Sequence, residues 1–129
     1  IMCGDWRHQP LTDADILTLM REALFVVLPI RQTVQPSGQS ACLQAMACSK
    51  AVILSRIKGL WDHEGLKHGK RCWLVEPEDP VELSKAVQHM CQDAPLRESL
   101  GSAARQEIVA RLNAKNMSET LMTLLDKAA

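Results

Sequence analysis

The turn at residues 36–40, Pro-Ser-Gly-Gln-Ser, carries the side chains of this sequence best suited to bind a ligand. Gly38 permits a close backbone approach, and Gln39 and Ser40 add side-chain donors beside the N–H groups that the start of a helix leaves free. The positive end of the helix dipole lies at the same point. These features predict a site for a phosphate or diphosphate. A Ser-Gly pair before a helix can also be only a turn and a cap, and that alternative stays open.

A predicted strand leads into this turn and places it at a favourable edge. Residues 25–28, Phe-Val-Val-Leu, are apolar on both faces and end at Pro29, which is typical of a strand covered by helices on both sides. A helix rich in Ala is predicted from residue 39 to 48. Ligands of open parallel sheets bind beyond the carboxyl ends of the strands, where loops enter helices. The turn is therefore where such a sheet would hold a ligand.

The other apolar runs predict more strands of the same kind. Buried strands are expected at 51–54 and 72–75, separated by a long loop that contains Gly59, Gly65 and Gly69. Residues 1–3 are also apolar and suit the end of a strand. The pattern predicts an α/β protein with a Rossmann-like parallel sheet and helices on both faces.

Capping residues mark the expected helices. One helix is predicted at about 14–23, and three more close the chain after the last strand. Four start signals are expected, in chain order: a capping box of Thr12 and Asp15; the set Asp79, Pro80 and Glu82; the single residue Pro95; and a capping box of Asn116 and Glu119.

Composition and charge exclude several classes of protein. The 129 residues are 47% hydrophobic and carry 15 Lys and Arg against 15 Asp and Glu, so a disordered or fibrous chain is excluded and a nucleic-acid partner is not expected. No apolar run approaches the length of a transmembrane helix, and no signal peptide is recognisable. We expect a cytoplasmic protein. If the chain is part of a longer parent protein, peripheral contact of that parent protein with a membrane is an alternative.

Metal and acid-base sites receive little support. The cysteines, at 3, 42, 48, 72 and 91, show no zinc spacing and are expected to be reduced thiols, buried or half-buried. Asp62, His63, Glu64 and His68 form a polar cluster in the long loop, and we interpret them as solvated side chains. No metal and no cofactor are expected.

Taken together, the motifs resemble those of the donor-binding half of GT-B glycosyltransferases, particularly the retaining group that uses nucleotide-diphosphate sugars. The resemblance rests on the following segments: V-V-L-P at 26–29, P-S-G-Q-S at 36–40, L-Q-A-M-A-C-S-K-A-V-I at 43–53, W-L-V-E-P-E-D-P-V-E-L-S-K-A at 73–86, and L-R with L-G-S-A-A-R at 96–105. It covers nearly the whole chain in the family's order.

The resemblance implies roles for particular residues. The glutamate that usually contacts the donor ribose falls on Gln44, whose amide can still hydrogen-bond a hydroxyl. The glutamate that usually contacts the sugar falls on Pro36, which cannot replace a carboxylate. The implied binding residues are thus Gly38, Gln39, Ser40 and Gln44, and the catalytic residues are unknown.

The family's fold also implies that part of the domain is missing. Its strand order is 3-2-1-4-5-6, and residues 1–3 and 25–28 correspond to the third and fourth strands. We therefore expect residues 1–129 to be a partial C-terminal donor-binding domain, without its first strand-helix units and without the N-terminal acceptor domain. A fragment of this kind is not expected to catalyse transfer by itself.

The implied activity is transfer of a sugar from a nucleotide-diphosphate donor to an unidentified acceptor by the parent protein. A non-catalytic, transferase-like binding or scaffold module is the alternative, since the acidic motif is lost. Exposed sheet edges make homo-oligomer formation a further hypothesis.

Overall fold

A computed structural model describes residues 10–128, and the strand predicted at 1–3 lies outside that range. Strands and helices follow the predicted order. The elements are α1 (Asp13–Glu22), β1 (Val26–Leu28), α2 (Gln39–Ala47), β2 (Val52–Ser55), β3 (Trp73–Val75), α3 (Pro80–Gln92), α4 (Ala94–Ala110) and α5 (Ala114–Ala128).

The three described strands form one parallel sheet in the order β1-β2-β3. Val27 lies opposite Ile53, and Leu54 lies opposite Leu74. β2 is the central strand, and all four of its residues are buried. The predicted parallel sheet is confirmed for this part of the chain, but the prediction that every strand is buried is wrong for β1, whose three residues are only half-buried because β1 is an edge strand of the described sheet.

Helices cover both faces of the sheet because β2 sends alternate side chains to opposite sides. Val52 and Leu54 belong to one core cluster with the buried residues of α2, whereas Ile53 belongs to a second cluster with those of α3. α4 contributes Leu100 to the second cluster and Ala104 to the first. The predicted α/β class with helices on both faces is confirmed.

Gly101 lets α4 approach the turn between α2 and β2. The residue is buried, and a Cβ atom there would collide with the carbonyl oxygen of Ser49. Ser49 itself has a positive φ of 58°. The neighbouring Arg105 guanidinium donates to the carbonyl of Ala47 at 2.8 Å, so α4 also satisfies a carbonyl at the end of α2.

Two of the predicted helix starts are confirmed as written. The Thr12 hydroxyl accepts from the Asp15 N–H at 3.2 Å, and the Asp15 carboxylate accepts from the Thr12 N–H at 2.9 Å. Pro95 lies in the first turn of α4. Asp93 caps that helix by accepting from the N–H of Leu96 at 2.8 Å.

The other two helix starts need correction. Asp79 caps α3 as predicted, but Glu82 accepts from the N–H of Glu76 rather than from that of the cap. The predicted Asn116/Glu119 box is wrong, because α5 begins at Ala114 and the Asn113 side chain accepts from the Asn116 N–H at 3.0 Å.

Cysteine burial follows the prediction except at one position. Cys42 and Cys72 are buried, Cys48 is half-buried, and Cys91 is exposed. Desolvation raises the pKa of both buried thiols to about 12, so neither is a thiolate at neutral pH. Cys3 lies outside the described residues.

α5 presents large apolar side chains to solvent. Those more than half exposed are Met117, Leu121, Met122, Leu124 and Leu125. Among residues 10–128, none of the helices combines the length and apolar character needed to cross a bilayer.

The contact at Gly101 generates the first prediction. Gly101→Ala should destabilise the fold by about 1–3 kcal/mol, because the new methyl group meets backbone that cannot move aside cheaply. Urea unfolding of the parent protein, followed by tryptophan fluorescence, measures this. Ser102→Ala, at an exposed position of the same helix, is the control, and equal unfolding midpoints for the two variants would contradict the packing role.

Candidate functional site

Gly38 lies against the end of β1. Its φ is +73°, and a Cβ atom there would lie 2.5 Å from Cδ1 of Ile30 and 3.9 Å from Cδ1 of Leu28. Its carbonyl accepts the first backbone bond of α2, from the N–H of Cys42 at 2.9 Å. Both the positive φ and the close contact favour glycine at this position.

The first N–H groups of α2 have no hydrogen-bond partner in the part of the chain that the structure describes. Gly38 is the N-cap residue and gives no side-chain hydrogen bond. Among residues 10–128, no acceptor bonds to the N–H of Gln39 or Ser40, and both side chains are exposed. The turn predicted to bind an anion therefore lies at a helix N-terminus, just beyond the carboxyl end of β1.

Gln44 shares a face of α2 with Ser40. The two residues are four positions apart, so their side chains lie one helical turn, about 5–6 Å, from each other. Gln44 is exposed and borders a cleft of about 530 Å³ together with Arg21 of α1 and Arg105 of α4. Gly38, Gln39 and Ser40 do not line that cleft, so it is separate from the helix N-terminus.

A second cavity, of about 240 Å³, lies at the carboxyl ends of the three strands. Its wall includes Arg31 after β1, Ser55 at the end of β2, and Glu78 and Asp79 after β3. Glu78 has a positive φ of 62°, a conformation that costs free energy for a residue with a side chain. None of the four predicted binding residues lines this cavity.

Ser55 joins the loop after β1 to the end of β2. The residue is 3% exposed, and its hydroxyl oxygen accepts from the N–H of Ile30 at 2.9 Å. This bond holds the chain directly after Pro29, where the loop toward Gly38 begins. Sequence reasoning missed Ser55, because a serine at the end of an apolar run carries no signal of a partner 25 residues away.

The loop from 31 to 38 is also held by the long loop between β2 and β3. The N–H of Gly59 donates to the carbonyl of Thr33 at 3.0 Å. A Cβ atom at Gly59 would collide with the carbonyl of Gln35. The long loop therefore supports the segment that leads to the helix N-terminus.

Asp62 belongs to an ionic network and not to an acid-base pair. It forms an ion pair with Arg111, which also pairs with Glu107, and Glu107 pairs with Arg71 at 3.0 Å. Burial of the Asp62 carboxyl acts to raise its pKa, but hydrogen bonds from the Gly65 N–H and Arg111 outweigh this and lower the pKa below its usual value. The network joins the long loop to the end of α4.

The interpretation of the loop cluster as solvated side chains is correct only in part. His63 and Glu64 are exposed, but Asp62 is 15% exposed in its side chain and accepts from the Gly65 N–H. His68 accepts through Nδ1 from the N–H of Leu74 at 3.0 Å. In the part of the chain that the structure describes, no group of three His, Cys, Asp or Glu side chains is placed to hold a metal ion.

Comparison with known proteins gives one family and one fold. A family model described as "Glycosyl transferases group 1" matches residues 6–93. An uncharacterized glycosyltransferase from Methanocaldococcus jannaschii is 30% identical over 92 residues, which are 71% of this chain and 25% of the relative.

Solved structures share the architecture. HepE from Anabaena in complex with UDP-glucose superposes with a TM-score of 0.76 at 21% identity, over 92% of this chain and 32% of that one. Sucrose-phosphate synthase from Thermosynechococcus elongatus superposes with a TM-score of 0.75 at 24% identity, over 92% of this chain and 29% of that one. The C-terminal domain of a group 1 glycosyltransferase from Francisella tularensis superposes with a TM-score of 0.64 at 22% identity, over 81% of this chain and 51% of that one. The chain thus spans a quarter of the curated relative and about a third of the two longer structures.

The buried bond of Ser55 generates a prediction. Ser55→Ala should lower the free energy of unfolding by about 1–3 kcal/mol, because the Ile30 N–H loses its acceptor. Thermal unfolding of the parent protein measures the loss. Ser37→Ala serves as the control, since its hydroxyl makes only a 3.5 Å contact with the Gln35 carbonyl. An unchanged melting temperature for Ser55→Ala would show that this bond does not hold the loop.

The lowered pKa of Asp62 predicts a pH dependence of stability. A depressed carboxyl pKa stabilises the fold above the unfolded value of about 3.9, and this contribution disappears as the pH falls through the folded value below it. Asp62→Asn should therefore cost about 1 kcal/mol at pH 7 and less at pH 2.5, which lies below the unfolded pKa.

Urea unfolding at the two pH values tests this, with Glu64→Gln as the exposed carboxylate control. The same difference at both pH values would contradict the ionic role of Asp62.

Proposed function

The chain belongs to the group 1 glycosyltransferase family, and we propose that it is the donor-binding part of a longer protein that transfers a sugar from a nucleotide diphosphate to an acceptor. The N-terminal acceptor domain and the first strand-helix units of the donor domain would be supplied by the rest of that protein. The shares of its relatives that this chain spans, between a quarter and a third, support this division.

The free N–H groups at the start of α2 carry the proposal for the diphosphate. Gln39 and Ser40 each offer a backbone donor without an acceptor among residues 10–128, and the N-cap residue Gly38 has no side chain that would bond to these donors. The helix dipole adds favourable potential for a negative group at this point. The HepE structures with UDP-glucose and with UDP support a nucleotide-diphosphate sugar as the ligand class.

The face shared by Ser40 and Gln44 supports the orientation of the nucleotide. A diphosphate at the helix N-terminus leaves the ribose one turn along the helix, where the Gln44 amide can donate to or accept from a hydroxyl. The cleft beside Gln44 leaves space for such a group. We assign Gly38, Gln39 and Ser40 to the diphosphate and Gln44 to the ribose.

Catalysis would need groups beyond this chain. The bond between the sugar and the diphosphate breaks during transfer, and the negative charge that develops on the departing diphosphate must be stabilised. In the family's pattern Pro36 stands at the position of the sugar-contacting carboxylate, and its side chain cannot hydrogen-bond the sugar. The chain alone should therefore bind a donor weakly and give no turnover.

A non-catalytic scaffold is the second candidate, and the two substitutions at Pro36 and Gln44 favour it. Both candidates share the fold but differ in ligand binding. A scaffold would not require affinity for a nucleotide diphosphate, whereas the transferase would.

Calorimetric titration of the parent protein with UDP-glucose tests the donor site. Ser40→Ala and Gln44→Ala should each weaken binding about three- to tenfold, the loss expected for one hydrogen bond. Gln88→Ala and Ser84→Ala, both at exposed positions of α3, are the matched controls. Loss of affinity in the controls as well would point to a general defect in folding.

The titration also separates the two candidates. If the parent protein binds none of the three donor types, UDP-glucose, GDP-sugars and ADP-sugars, the scaffold proposal replaces the transferase proposal. Sugar transfer by the 129-residue chain alone would contradict the proposal that the missing parts supply the catalytic groups.

A further inference from the structure

The cavity at the carboxyl ends of the three strands adjoins the start of α2 through a single side chain. Ile30 lines this cavity, whose volume is about 240 Å³. Cδ1 of the same residue lies only 2.5 Å from the place that a Cβ atom of Gly38 would take. Gly38 is the N-cap of α2, where the proposed function places the diphosphate. A group joined to that diphosphate would therefore have the cavity beside it, one side chain away.

The wall of this cavity combines apolar side chains with a few polar groups. Pro29, Val75 and Leu83 belong to its apolar part. Two charged side chains of the wall, Arg31 and Glu78, are exposed, and neither forms a hydrogen bond or an ion pair with another residue in the range 10–128. Sites for small molecules have this character, because apolar groups form most of their surface and a few polar groups orient the ligand.

The other carboxylates of the wall already have partners. The Asp79 side chain accepts from two N–H groups in the first turn of α3, at 3.0 and 2.8 Å. Glu76 forms an ion pair with Arg56, whose Nε lies 3.1 Å from the carboxylate. In the part of the chain that the structure describes, Glu78 is therefore the carboxylate of this wall that is left for a ligand.

Ser55 adds a buried hydroxyl group to the same wall. The residue is 3% exposed, and its oxygen accepts from the N–H of Ile30 at 2.9 Å. A hydroxyl group can also donate one hydrogen bond, and no described residue accepts the proton of Ser55. A buried donor without an acceptor costs free energy, so a ligand oxygen in the cavity would satisfy this group.

We propose that this cavity binds the sugar of the donor, with the Glu78 carboxylate, the Arg31 guanidinium and the Ser55 hydroxyl as its polar partners. The inference rests on the proposed function, since the diphosphate at the start of α2 brings the sugar to the cavity. Sites for whole small molecules measure about 300–1,000 Å³, so this smaller cavity suits one sugar ring rather than a nucleotide.

The chemistry of the wall favours a sugar over other ligands of that size. A monosaccharide is neutral, its hydroxyl groups both donate and accept, and its C–H groups can pack against apolar side chains. It can therefore use the acceptor Glu78, the donors Arg31 and Ser55, and the apolar wall together. An anion would be repelled by Glu78, and an apolar molecule would leave both charged groups without a partner.

Glu78 would replace a carboxylate that this sequence lacks elsewhere. The family's pattern has a sugar-contacting glutamate where this chain has Pro36. Glu78 follows a different strand, β3, and its φ of 62° is a conformation that glycine adopts without strain. The chain therefore keeps a carboxylate at this position although the backbone favours a residue without a side chain.

Calorimetric titration of the parent protein with UDP-glucose and with UDP tests the sugar site. Glu78→Gly removes the carboxylate and suits the positive φ, so this variant should fold as stably as the wild type. Its affinity for UDP-glucose should fall about tenfold, the loss expected for one hydrogen bond to a charged group. Its affinity for UDP should not change, because UDP carries no sugar. Glu98→Gln, which removes an exposed charge of α4, is the control and should bind both ligands as the wild type does.

A crystal structure of the parent protein with UDP-glucose gives an independent readout. The sugar ring should lie in the cavity, within hydrogen-bond distance of the Glu78 carboxylate and the Ser55 hydroxyl. If the parent protein binds a GDP- or ADP-sugar more tightly, that sugar nucleotide and its free nucleoside diphosphate take the place of UDP-glucose and UDP in both experiments.

The outcomes separate this inference from the proposed function. If the wild type binds the nucleotide and Glu78→Gly keeps its full affinity for the sugar nucleotide, the sugar site is overturned and the proposed function stands. The same holds if Glu78→Gly loses affinity for UDP to the same extent, or if the sugar lies outside the cavity in the crystal structure. A wild-type parent protein that binds none of these ligands would overturn both.

Discussion

Burial of β2 on both faces is the constraint on which the structure depends. All four of its residues are removed from solvent, and because they point alternately up and down, the strand needs an apolar layer on each side. α2 supplies one layer and α3 the other, while α4 contributes to both. Gly101 is what lets α4 approach closely enough to do so. Burying alternate faces of one short strand thus determines the placement of three helices.

In the same arrangement, loops form the edge of the sheet at which the proposed ligand would bind. Parallel strands place their carboxyl ends together, and there the loops after β1 and β2 are joined by the Ser55–Ile30 and Gly59–Thr33 bonds. These contacts fix where the segment ending at Gly38 lies, and therefore where the first turn of α2 presents its backbone N–H groups. A donor site at this point would be a property of two loops and one helix end, not of a single motif.

Local signals made much of the fold predictable. The Thr12/Asp15 box and the Asp79-Pro80 pair use donors and acceptors within three residues, so they can be recognised without knowing what packs nearby. The strands were recognised from apolar runs of four residues bounded by Pro or polar residues, because runs of that length fit a strand better than a helix. Local rules failed where a competing partner was present: Glu82 bonds Glu76 instead of the helix cap.

The sequence by itself determined the order of elements, the α/β class, the family resemblance and the candidate residues Gly38 to Ser40, since each depends on short-range pattern. Tertiary structure alone decided which side chains connect distant segments. Ser55 meets Ile30 across 25 positions, and Asp62 meets Arg111 across 49. A hydrogen bond between distant positions depends on how the chain has folded to bring them within about 3 Å, and no local spacing in the sequence contains that distance.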